Sequence, residues 1–198
     1  MKRLMAALLI ACAATVSAET LTGRVVGVTD GDTLTILDAT HVQHKIRLMG
    51  IDAPEKAKSI NKLESGQPFS DLSKQNLANL AFGKEAQAEW TKKHRGRLIG
   101  KVLIDGRDVS LEQINAGMAW WYERYQKEQT ASDQQAYAIA EQAARAKQTG
   151  LWKDLAPIPP WDWRKSQQGQ KHKGRLPAIS APTNRSEMHK RTSAMLEN

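Results

Sequence analysis

Hydrophobic positions along this chain recur first with the period of strands. Residues 21–28, 34–37 and 42–49 are short aliphatic runs separated by polar, turn-forming residues, which predicts three strands in a meander. Residues 84–90 and 98–104 predict two more, and in the second Leu98, Gly100, Val102 and Ile104 fall on one face. Helical periodicity appears between and after these runs. Residues 70–83 predict a helix with a serine cap at Ser70 and a closing Gly83. Residues 108–117 predict a short helix ending in Gly117, and residues 132–148 a longer, alanine-rich one closed by Thr149-Gly150. Five strands with about three helices inserted and appended give an α+β, mainly β fold that suits a small barrel of the OB type. After Pro157-Ile158-Pro159-Pro160-Trp161-Asp162-Trp163 the periodicity stops. Residues 164–198 scatter basic side chains among Gln, Ser, Gly and Pro, the composition of a disordered tail. Such a tail is either a loose tether for a polyanion or a solvated extension.

The N-terminus changes the picture of where the domain works. Met1-Lys2-Arg3, an apolar run from Leu4 to Ala11 and the small residues Val16-Ser17-Ala18 have the layout of a signal peptide over residues 1–18. The run is shorter than the roughly 20 residues of a membrane span. The domain expected is therefore residues 19–163, exported to the periplasm or secreted, with no stable membrane insertion after cleavage. The single cysteine, Cys12, falls inside the leader, so the mature chain has no thiol. Leu9-Ile10-Ala11-Cys12 loosely resembles a lipoprotein box and is the lesser alternative. Loss of Lys2 and Arg3 with the leader takes the formal charge from +8 to +6. A basic exported domain attracts nucleic acid, anionic lipid or acidic polymer alike, and charge does not choose among them.

The choice comes from two short motifs. Thr29-Asp30-Gly31-Asp32-Thr33 and Arg47-Leu48-Met49-Gly50-Ile51-Asp52-Ala53-Pro54-Glu55 set carboxylates and an arginine at the ends of strand-like runs. Asp30-Gly31 is by itself a hairpin signal, since both central residues of such a turn tolerate positive φ. That turn gives no reason for Asp32. Asp52-Ala53-Pro54 is by itself a strand end halted by proline. Arg47, opposite in phase to Ile46 and Leu48, leaves the core face. Gathered carboxylates repel unless a positive group sits among them, and a hard divalent cation with oxygen ligands is the usual resolution. A guanidinium beside it fits a phosphate.

With these motifs the chain resembles the staphylococcal-nuclease-like, or thermonuclease, family. The resemblance also rests on Gly96-Arg97 before residues 98–104, on Asp105-Gly106-Arg107-Asp108-Val109-Ser110-Leu111, on Gly117-Met118-Ala119-Trp120-Trp121-Tyr122 and on Gly150-Leu151-Trp152. It extends over about residues 21–163. It implies the OB-type barrel and one calcium ion held by Asp32, Asp52 and the Ala53 carbonyl. Glu55 is then the general base, and Arg47 and Arg97 clamp the phosphate. The implied activity is hydrolysis of DNA or RNA to 3′-phosphate products by a monomer. Where the family has Asp-Arg-Tyr-Gly-Arg this chain has Lys93-His94-Arg95-Gly96-Arg97, so the tyrosine is missing and Arg95 offers a second guanidinium. Arg97 keeps the family position because Gly96 and the strand after it preserve the register. Residues 58–66 resemble an insertion beside the site. Tyr125, with Arg124 and Lys127 beside it in the sequence, is the aromatic candidate for substrate contact, and Lys56 and Arg95 are further substrate-binding candidates; Trp120 and Trp121 are expected in the core. His41 and His44 do not face one side of a strand, and no cysteine joins them, which disfavours zinc. The rival reading is a catalytically silent OB-type module that binds nucleic acid or another polyanion. It gives no reason for Asp32, Asp52 and Glu55 in a binding cleft.

Overall fold

Alternation of buried aliphatic and outward polar residues builds the sheet in chain order. In the computed structural model, which describes residues 19–57 and 66–173, β1 (Glu19–Asp30), β2 (Thr33–Leu37) and β3 (Gln43–Leu48) form an antiparallel meander. A two-residue β4 (Ile51–Asp52) and helix α1 (Ser70–Ala81) follow. Next come β5 (Glu85–His94) and β6 (Arg97–Ile104), with β5 antiparallel to both β1 and β6. β6 then lies parallel to β3, with Ile46 opposite Leu98 and Arg47 opposite Ile99. This last pairing closes five strands into a barrel and leaves neither edge of the sheet open. It is the OB-type architecture expected from the pattern.

Further elements follow the barrel strands. β7 (Arg107–Asp108) leads into α2 (Val109–Asn115), and β8 (Trp120–Trp121) pairs with β4 so that Asp52 lies opposite Trp120. α3 (Ala131–Ala146) packs on α2, and α4 (Pro160–Lys173) ends the described chain. The barrel core joins Val25, Leu34, Ile36, Ile46, Leu48 and Val102 to Leu77 of α1, Ile114 of α2 and Tyr137 of α3. A second cluster gathers Trp120, Ala144, Leu151 and Trp152, with Phe69 and Trp161 against it. Both expectations for the tryptophans hold: Trp120 belongs to this cluster, and Trp121 packs on the barrel core.

Local rules fail in three places. Ser70 is the first residue of α1 and not its cap; the cap position is Phe69, at φ 67° and with no side-chain bond. The Phe69 ring packs with the tryptophan cluster, which offsets a conformation that an L residue ordinarily avoids. The β1–β2 turn is made by Gly31 and Asp32, and neither has a positive φ. Gly31 is required by proximity: a Cβ there meets Ser73 Oγ at 1.8 Å and Ala53 Cβ at 2.8 Å. Finally, α4 carries helix to Lys173, so the start of the stretch expected to be disordered is helical. The chain divides into two units after Arg164, and of the second only residues 165–173 are described. The leader, most of the expected insertion (residues 58–65) and the rest of the tail lie outside the described residues. Among those described, no helix is long and apolar enough to cross a membrane.

The packing of the Gly31 turn on α1 yields a stability prediction. Gly31→Ala must push Ser73 and Ala53 aside, and Ser73 is pinned by its bond to the Met118 carbonyl at 2.6 Å. A loss of about 1–3 kcal/mol is expected in urea denaturation; an unchanged midpoint would mean that the turn yields freely.

Candidate active site

The end of the barrel that carries the β1–β2 turn brings the charged motifs together. Asp32 sits in the turn, and its backbone carbonyl accepts from the Leu48 amide at 2.8 Å, which fastens the turn to the end of β3. Arg47 is the penultimate residue of β3, and Asp52 lies in β4, one bend further on. Because Ile46 and Leu48 point into the core, Arg47 must point away from it, toward the turn. Its Nη1 lies 2.9 Å from Asp32 Oδ1, and its Nη2 donates to Asp52 Oδ1 at 2.7 Å. One guanidinium thus bridges both acids.

Both carboxylates are almost out of reach of solvent, Asp32 at 3% exposure and Asp52 at 0%. Burial pushes the Asp32 carboxyl up to about 6, against the pull of Arg47 in the other direction and with some repulsion from Asp30. Its oxygens also accept from the Thr33 hydroxyl at 2.8 Å and from the Ala53 amide at 3.1 Å. For Arg47, burial opposes the charge, but Asp32 and Asp52 more than compensate and keep the guanidinium protonated.

Above this floor opens a cleft of about 700 Å³. That is ample for a nucleotide-sized ligand, since ligand pockets run to about 300–1,000 Å³. Asp32, Arg47, Ala53, Glu55, Lys56, Arg95, Arg97 and Tyr125 all line it, so the cleft collects the residues singled out in the sequence. Asp52 is the exception, fully buried beneath. Arg95 and Gly96 form the β5–β6 turn, both with positive φ, and Arg97 opens β6. Lys92 and Lys93 extend this basic wall. Tyr125 is 46% exposed, with its ring edge-on to Tyr122 at 5.1 Å and Lys92 5.4 Å above it. Lys56 reaches the Thr29 carbonyl across the mouth at 3.4 Å.

One member of the site was not foreseen. Arg164, in the first turns of α4, donates through Nη2 to Asp52 Oδ2 at 2.7 Å and through Nη1 to Asp52 Oδ1 at 3.1 Å. The same Nη1 reaches Glu55 Oε1 at 2.5 Å. The readable signal was Pro159-Pro160 followed by Trp161: proline suits the first helical position, and the residues after it begin a helix. Arg164 then stands one turn inside it.

The donor set fits a hard cation in kind. Asp32 and Asp52 supply carboxylate oxygens brought to one guanidinium, with the Ala53 backbone alongside. Among the described residues no three His, Cys, Asp or Glu side chains form a cage. A cation here would rest on the two aspartates and backbone oxygen.

Comparison with known proteins finds nuclease relatives. A family model described as staphylococcal nuclease homologue matches residues 45–154. An uncharacterized endonuclease of Escherichia coli O157:H7 is 37% identical over 144 residues, 72% of this chain and 84% of the relative. A micrococcal nuclease of Shigella flexneri is 37% identical over 154 residues, 73% of this chain and 80% of its own. A staphylococcal-like nuclease of Arabidopsis thaliana, CAN1, is 32% identical over 126 residues, 63% of this chain but 34% of the longer plant protein.

The bridging role of Arg47 predicts a large stability effect. Arg47→Met strips the shared partner from two buried carboxylates, a change of about 3–5 kcal/mol for buried pairs. About 3 kcal/mol is expected in urea denaturation, because Arg164 still compensates Asp52. A loss under about 1 kcal/mol would show that the acids are held by other groups.

Proposed function

The chain belongs to the family of staphylococcal nuclease homologues, and we propose that it is an exported, calcium-dependent nuclease that hydrolyses DNA or RNA phosphodiesters. The observation that carries this reading is the pair of buried carboxylates, Asp32 and Asp52, joined through Arg47 at the floor of a basic cleft. A phosphodiester is anionic and repels its nucleophile, so its hydrolysis needs neutralised oxygens, a proton acceptor and fixed alignment. Asp32, Asp52 and the Ala53 carbonyl are the proposed ligands of one calcium ion, which when bound supplies Lewis-acid stabilisation and a template for the diester.

The chain's own groups do the rest. Arg47 and Arg97 face the cleft and neutralise the non-bridging oxygens as charge builds up in the transition state. Glu55, half-buried at the cleft wall, takes the proton of the attacking water. Attack at phosphorus breaks the bond to the 5′ oxygen, leaving a 5′-hydroxyl and a 3′-phosphate. Tyr125 offers an exposed ring to an unpaired base, and Lys56 and Arg95 offer charge to flanking phosphates. The protein acts as a monomer in the periplasm or outside the cell, after loss of residues 1–18.

Purified protein incubated with plasmid, single-stranded DNA and RNA tests this directly. Cleavage is expected with calcium and is abolished by excess chelator; full activity in chelator would sink the cation assignment. Glu55→Gln in the same assay should lower turnover about 10²-fold or more, the range for a single general base.

The two arginines of the β5–β6 hairpin separate by role. Arg97→Lys should lose most turnover, because an ammonium cannot reproduce the planar two-point contact with phosphate. Arg95→Lys should change turnover little and affinity modestly, in a salt-sensitive way. The reverse ranking in steady-state kinetics would exchange their roles.

A further inference from the structure

We propose that Arg164 is a built-in latch, a guanidinium on α4 that competes with the divalent cation for Asp52 and also holds Glu55. The inference rests on the proposed cation site and adds to it a residue that the fold supplies from the far end of the chain. All the groups of the contact are accounted for. Asp52 Oδ1 accepts from Arg47 at 2.7 Å and from Arg164 at 3.1 Å, and Oδ2 accepts from Arg164 at 2.7 Å. Three of the four or so acceptor positions of that carboxylate are thereby used, two of them by Arg164. The bond to Glu55 Oε1 at 2.5 Å engages the proposed base as well. Arg47 takes only Oδ1 of Asp52, so Arg164 holds the Oδ2 oxygen left for a cation, and two like charges repel at one oxygen. Entry of the cation therefore requires Arg164 to let go of Asp52.

The latch is held by its own mount. Trp161, one turn before Arg164, stacks on Tyr122 with centroids 5.0 Å apart and planes 15° apart, and meets Trp120 edge-on at 5.7 Å. Buried Gln67 ties the approach to α4 to the loop of the base: its amide nitrogen donates to the Ile158 carbonyl at 2.6 Å, and its oxygen accepts from the Glu55 amide at 3.1 Å. The anchor and the base are thus braced to one side chain. Arg164 itself remains one-third exposed, open to water on its release path. Burial opposes its charge, and the ion pairs with Asp52 and Glu55 more than offset that opposition.

A latch closed about nine-tenths of the time lowers the apparent cation affinity about tenfold. Calorimetric titration of the purified protein with calcium chloride alone, without nucleic acid, reads this directly. Arg164→Gln should bind calcium about tenfold more tightly than the wild type, with Arg164→Lys between them. Trp161→Ala, which loosens the mount and leaves every carboxylate in place, should shift affinity in the same direction; it also carries the test if Arg164→Gln does not fold by thermal denaturation. Equal affinity across the set would overturn the latch while leaving the cation site standing. Weaker binding in Arg164→Gln would overturn it too, by making Arg164 part of the site that holds the cation. Calcium uptake by none of the proteins would overturn the cation assignment, and the latch with it.

Discussion

Two aspartates with almost no solvent access are kept side by side by one guanidinium, and the barrel end is arranged around that bridge. Asp32 comes from the β1–β2 turn and Asp52 from β4, so Arg47 ties a turn and a short strand to β3, which lies between them in the chain. Without the guanidinium, burial would press the Asp32 carboxyl further toward its neutral form. With it, a compact negative site survives under a basic rim. The strand phase makes this possible, because the inward packing of Ile46 and Leu48 fixes the side on which Arg47 emerges.

The bridge explains why the site is fixed by the fold itself. Gly31 lets the turn touch Ser73 of α1, the Leu48 amide binds the Asp32 carbonyl, and β4 pairs with β8. Each contact places one acid by backbone geometry, which leaves little rotamer freedom to lose. A basic cleft with acids so placed makes poor sense as a surface for polyanions alone. A simple binder would gain affinity by removing Asp32, Asp52 and Glu55, since each repels the ligand that the rim attracts.

Most of the fold and the inner part of the site were legible because both are written in short-range pattern. Strands appear as alternation, the barrel as their number and spacing, and Asp32, Arg47, Asp52 and Glu55 within two nearby motifs. What escaped depends on distant partners. Phe69 holds the left-handed cap beside a serine that is the better cap by every local rule, and only the tryptophan cluster decides the matter. Asp-Gly reads as a positive-φ turn, while the actual demand on Gly31 is the approach of Ser73. Arg164 lies 112 residues from Asp52 in a stretch whose composition resembles a solvated tail. No periodicity marks one arginine among several there.

Arg164 also alters how charge in the cleft is to be understood. Arg47 pairs with Asp32 and Asp52, and a second guanidinium pairs with Asp52 and Glu55, so the negative floor is close to balanced before any ligand arrives. Balance of this kind stabilises the folded chain in the absence of a cation, when unopposed carboxylates would strain it. The same balance must be undone before those oxygens can serve another positive group. Stability of the resting protein and access to the Asp52 oxygens are therefore set against each other.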